Sequence, residues 1–213
     1  MEQFIMKKTL LGSLILLAFA GNVQAAANDE TKGTVTFFGK VVENTCKVKT
    51  ENRNMSVVLN DVGKAHLTTK GNTAMPTPFT ITLDNCNTTG TGANYANKIG
   101  VYFYSWENTD KDNSFTLKNK TGQDYATKVN IQLMESNGTT PIEVVGKTTD
   151  DFTHKTNGST NQSPVAKDHI SGKTNVVANQ SEYPIQFIAQ YYATDAATAG
   201  KVQSSVDFQI AYE

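Results

Sequence analysis

The residues able to do chemistry in this chain are few, and the pair that stands out is Cys46 and Cys86, its only cysteines. In an exported chain an even cysteine count reads as one disulfide. The other reading is a free reactive thiol or a metal site, but no CxxC or Cys/His cluster supports it. Closing a loop of about 40 residues would stabilise the fold by roughly 4 kcal/mol through the unfolded state. The three histidines, His66, His154 and His169, lie far apart in polar surroundings, without an HExxH spacing or a neighbouring carboxylate pattern. Asp150 and Asp151 are adjacent in a polar stretch and read as solvated surface, not as an acid/base couple. There is no GxSxG elbow and no glycine-rich loop opening a helix. These absences leave a secreted enzyme with no catalytic, cofactor-binding or metal-binding residue to nominate.

Export itself is read from the amino terminus. Lys7 and Lys8 precede an apolar run from Leu10 to Ala20, and Val23-Gln24-Ala25 offers a small-residue cleavage site, so residues 1–25 are assigned as a secretory signal peptide. Removing them takes away Lys7, Lys8 and Glu2. The 19 basic and 20 acidic residues of the full sequence become 17 and 19, a net charge of −2. Such a balance carries neither a nucleic-acid footprint nor a polybasic membrane patch.

The elements that must position the cysteines are strands. Threonine, asparagine, valine and glycine abound, while arginine (Arg53) and tryptophan (Trp106) occur once each. Cys46-Lys47-Val48 starts one strand, Phe79 to Leu83 alternates cleanly up to Cys86, and a disulfide would tie the two. Val57, Leu59 and Val62 form a short apolar run. Ile99 to Ser105 reads as a central strand covered on both sides. Short strands follow at Phe115 and Leu117 and at Val129, Ile131 and Leu133, and Ile142 and Val144 pair back across Ser136-Asn137-Gly138. From Lys147 to about Ser181 the chain reads as one polar excursion with little regular structure. Ile185 to Tyr192 is a late strand. The last run places Val206, Phe208, Ile210 and Tyr212 on one face, an amphipathic strand whose edge has no following segment to cover it. The expected fold is all-β, an antiparallel immunoglobulin-like sandwich.

One stretch, Gly33 to Val42, departs from an ordinary strand. At period two it carries Val35, Phe37, Gly39 and Val41 on one face, so two bulky groups are followed by a notch without a side chain. It reads either as the first strand of the sandwich or as a strand meant for another chain.

The signal peptide, GTVTFFGKVV running into Cys46, PFTITL ahead of Cys86, and a terminal DFQIAYE with penultimate Tyr212 together resemble the pilins of chaperone–usher fimbriae, and the full length resembles the Haemophilus type of major subunit. The resemblance implies an incomplete immunoglobulin-like domain, completed by a donor strand from a neighbouring subunit. The domain plan would be a signal peptide at 1–25, an amino-terminal donor-strand extension at 26–45 and a pilin domain at 46–213. Val35, Phe37, Gly39 and Val41 would be the donor face, and Val206, Phe208, Ile210 and Tyr212 the edge of the acceptor groove that a chaperone also contacts. Neighbouring copies of the chain would join head to tail. A periplasmic chaperone, an outer-membrane usher and other fimbrial subunits would be the remaining partners. The chain would cross the periplasm to the cell surface and serve, without a cofactor, as a structural subunit of fimbriae that attach to host cells. A minor or adaptor subunit, or a receptor-binding module of the fibre, is the alternative.

Overall fold

The computed structural model describes residues 37, 39–87, 90, 92, 94–149 and 168–213. The signal peptide at 1–25, Val35, Asp150, Asp151 and His154 lie outside the described residues. Val41–Glu213 form one compact unit, an antiparallel sandwich. In chain order the strands are β1 (Thr45–Val48), β2 (Thr73–Asn87), β3 (Lys98–Tyr104), β4 (Thr109–Asp110), β5 (Thr116–Lys118), β6 (Val129–Glu135), β7 (Ile170–Asn175), β8 (Tyr183–Ala193) and β9 (Asp207–Tyr212). One sheet runs β1-β2-β8-β6-β5-β4 and the other β7-β3-β9.

Alternating apolar positions decide which face is buried. In β8, Tyr183, Ile185, Phe187 and Ala189 point into the core, and in β3 it is Ile99, Val101 and Phe103. The rings of Phe103 and Phe187 meet edge to face at 5.0 Å between the sheets, Phe79 lies 5.6 Å from Phe187, and Phe208 lies 6.3 Å from Phe103. Pro76 and Pro78 are tolerated within β2 because β1 pairs only with Leu83, Asp84 and Asn87 at the far end, which leaves the proline-bearing half as an edge. Where β1 stops, the Asn52 side chain takes over. Its amide donates to Thr80 O at 3.4 Å and its oxygen accepts the Thr82 N–H at 2.9 Å.

The hairpin expected after β6 is present. Glu135 N–H donates to Thr140 O at 2.9 Å and Ile142 N–H to Leu133 O at 2.9 Å, which buries Ile142 and Val144. Two expectations change. β3 is the middle strand of its sheet but is covered on one side, with Tyr102 and Tyr104 only half-buried on the other. The polar excursion contains β7, which pairs antiparallel with β3. The strand is held by what lies under it as much as by its own side chains. Gly172, at φ +63°, brings its N–H to both oxygens of Glu135 at 3.1 and 3.0 Å, and burial pushes that carboxyl above the usual range. Residues 150–167 of the excursion lie outside the described residues.

Candidate functional site

Cys46 and Cys86 are joined, with S–S 2.08 Å. The bond links β1 to the end of β2 and fixes the start of the compact unit. Just ahead of it, Glu43 N–H donates to Asn94 O at 2.9 Å, and the buried Asn44 side chain accepts the Ala96 N–H at 2.5 Å. The chain is tied into the fold from Glu43 onward.

After Asn52 the chain leaves the larger sheet and runs extended. Met55, Val57 and Leu59 point toward the core and Asn54, Ser56 and Val58 away from it. The pattern is that of a strand, yet from residue 54 to 62 no backbone group has a backbone partner among the described residues. Opposite lies β9, an edge strand bonded to β3 on one side only, in the register Ile99↔Tyr212, Val101↔Ile210 and Phe103↔Phe208. Between these two walls runs a groove of about 860 Å³, bounded by Arg53 to Leu59 on one side and Val202 to Phe208 on the other. Its floor is core, including Phe79, Ile81, Phe103, Leu117 and Leu133. The buried hydroxyl of Ser204 in the second wall has no hydrogen-bond partner among the described residues. Apolar floor and unpaired strand edges are the surfaces an additional strand would satisfy.

Of the four residues expected to form the acceptor edge, Val206 and Phe208 line this groove and Ile210 and Tyr212 do not. Tyr212 closes the β9 end instead. Its phenol oxygen accepts the Cys46 N–H at 2.8 Å, and burial raises its pKa, partly offset by that bond. The wall from Arg53 to Leu59 was not identified from sequence. Its signal was the period-two alternation of Met55, Val57 and Leu59.

On the face expected from sequence to be the donor, Phe37 is 86% and Val41 94% exposed, and an added Cβ at Gly39 would meet nothing within 4 Å. His66 and His169 are not brought together with other ligands. No group of three or more His, Cys, Asp or Glu suited to a metal occurs among the described residues.

The profile of the family described as "Fimbrial protein" matches residues 31–213. A major fimbrial subunit of Haemophilus influenzae is 71% identical over 213 residues, covering 98% of this chain and 100% of the relative. The F17 fimbrial protein of Escherichia coli is 35% identical over 93% of this chain and 95% of its own. Among solved structures the fold is similar to that of a chaperone–usher pilus (TM-score 0.54, 18% identity, 86% of this chain and 97% of that one). It is also similar to the P pilus rod subunit PapA (TM-score 0.52, 16% identity, 79% and 99%). With the family profile spanning most of the sequence and a relative at 71% identity aligned over nearly all of it, the chain belongs to the fimbrial protein family and is a structural subunit of a surface fimbria.

Proposed function

We propose that the subunit polymerises by strand exchange, the Val35/Phe37/Gly39/Val41 face of one copy filling the groove of the next. The observation that carries this reading is the groove itself, an apolar trough whose two walls are strand-like segments with no backbone partner across it. A β-strand laid between 54–59 and β9 would pair with both walls and place alternate side chains on the floor. Burying Val35, Phe37 and Val41 is worth roughly 1.5–3 kcal/mol each, on the order of 5–9 kcal/mol together before backbone pairing. That is comparable to the net stability of a whole domain, about 5–15 kcal/mol. The contact is heterologous, so it builds a filament and not a closed ring.

On this reading residues 26–45 form the extension and 46–213 the domain that receives it. Before assembly the open groove needs a temporary occupant, the role of a periplasmic chaperone, with an outer-membrane usher passing subunits to the fibre. The fibre attaches the cell to a host surface, and this subunit contributes packing and length without catalysis.

The test supplies the strand within one chain. A second copy of Gly33–Val42 grafted after Glu213 through a flexible linker faces the groove at a millimolar-range effective concentration, provided that the linker spans the distance. The expected product is a soluble monomer that needs no chaperone and does not polymerise. The comparison is an identical graft with Asp in place of the residues copied from Val35 and Phe37. Equal thermal stability and equal polymer formation in the two would rule out strand exchange.

A further inference from the structure

Strand exchange as proposed above turns one bulky residue away from the groove floor. With Val35, Phe37, Gly39 and Val41 facing the floor, Thr34, Thr36, Phe38, Lys40 and Val42 take the outer face. Phe38 is the one ring among them, and with nothing over it the ring would stand in water. The wall from Arg53 to Leu59 has a matching feature. Met55, Val57 and Leu59 pack on the core, while Val58 points away from it and is 83% exposed, the most open large apolar side chain from Glu43 onward among the described residues. A single exposed valine is ordinary. This one stands on the outer face of a strand-like segment that has no backbone partner among the described residues, beside the space the exchanged strand would fill.

We propose that Val58 is a second, outer contact for the exchanged strand, covered by Phe38 of the neighbouring copy; this rests on strand exchange. Paired strands put side chains of like phase on the same face, so the outward residues of the exchanged strand share a face with Asn54, Ser56 and Val58. The inward residues 35–41 are centred on 38 and the wall 53–59 on 56. A strand seated squarely in the groove therefore sets Phe38 opposite Ser56 whichever way it runs. Val58 is then a diagonal neighbour at about 7–8 Å, a distance that a phenyl ring spans. Directly opposite Val58 stands Thr36 or Lys40, according to direction, so the ring of Phe38 is the apolar surface within reach. The exchanged strand would be gripped on both faces, by the floor beneath and by Val58 above.

The test uses fibres of the full mature subunit carrying Val58→Thr, Phe38→Thr, both together, or Phe38→Leu. Electron microscopy of the fibres establishes that each variant folds. Release of subunits in denaturant, followed by size-exclusion chromatography, should be about two- to fivefold faster for each threonine variant and close to wild type for Phe38→Leu. The double variant should release no faster than the singles, because either change already removes the shared contact. The seat of the strand is read separately. Phe38→Cys combined with Ser56→Cys in one chain should link neighbouring copies into a disulfide ladder on a non-reducing gel, whereas Phe38→Cys with Val177→Cys should not. A ladder with unchanged release rates would overturn the inference and leave strand exchange standing. So would an effect of Val58→Thr that persists in full beside Phe38→Thr, which would make a lateral contact with another copy the occupant. Absence of the ladder would remove the seated strand, and both readings with it.

Discussion

The phenol of Tyr212 accepts the backbone N–H of Cys46 at 2.8 Å, joining the last strand to the disulfide across 166 residues of sequence. Burial favours the neutral phenol and raises its pKa above the ordinary value of about 10. The unfolded chain therefore loses this proton first. The stability held by the neutral phenol is complete below about pH 10 and is lost as pH rises through the higher folded value. Tyr212→Phe should cost about 1 kcal/mol at neutral pH, through the orphaned Cys46 N–H. The deficit should narrow as thermal unfolding is followed from neutral to strongly alkaline solution. Tyr191 is also raised, chiefly by burial, so the difference between wild type and variant is the quantity to read. Parallel profiles would remove Tyr212 from the account.

Gly39→Leu should leave the isolated subunit's stability unchanged and block fibre formation. Within the subunit nothing stands within 4 Å of an added Cβ, so the larger side chain has room there. Against a neighbour's groove it would overpack the contact by roughly 1–3 kcal/mol. Normal fibres from this variant, seen by electron microscopy, would show the glycine to be incidental.

Replacing Cys46 and Cys86 with serine should lower the stability of the exported subunit by about 2–4 kcal/mol and reduce its yield. Thiol titration of the denatured, unreduced wild type should find no free sulfhydryl.

Gly172→Ala should destabilise the fold where many strand glycines would not. The residue sits at φ +63°, and a Cβ there would run into Ile185 and Phe187 in the core. Backbone strain and overpacking together suggest a loss of about 2 kcal/mol or more. Thermal unfolding would measure it, and a shift within error would mean that β7 moves aside freely.

What the sequence made legible followed from side-chain period. The last strand alternates in sequence, and its inward residues could be named in advance; β8 was legible as a strand, but it alternates only up to Gln190 and ends in three buried residues. β7 was not legible, because Ile170–Asn175 has one large apolar residue and its buried position is a serine, Ser171. Its place depends on a close approach at Gly172 and a carboxylate 37 residues earlier, neither of which leaves a periodic trace. The same limit applies to the groove. Met55, Val57 and Leu59 alternate like any strand, and periodicity says which side of a strand is buried but not whether its neighbour is present. Half of the expected edge, Val206 and Phe208, lines the groove. Ile210 and Tyr212 lie further along β9, packed on the core outside the groove, and the bond from Cys46 to Tyr212 joins residues too distant in sequence to be seen there.

If strand exchange builds the fibre, the register of β9 against β3 also sets how it would bear load. Six residue pairs, from Ile99↔Tyr212 to Tyr104↔Asp207, lie side by side along the strand direction. On the strand-exchange proposal, tension carried by a strand seated beside β9 would pull along this ladder and strain its hydrogen bonds in parallel, as a lap joint does, instead of peeling them one after another. Tyr212 ties the end of that joint to Cys46 on β1, the edge strand of the six-stranded sheet, and the covalent bond to Cys86 links β1 to β2. The last strand would thus work as a mechanical coupling, tied at its end to the strand that carries the disulfide.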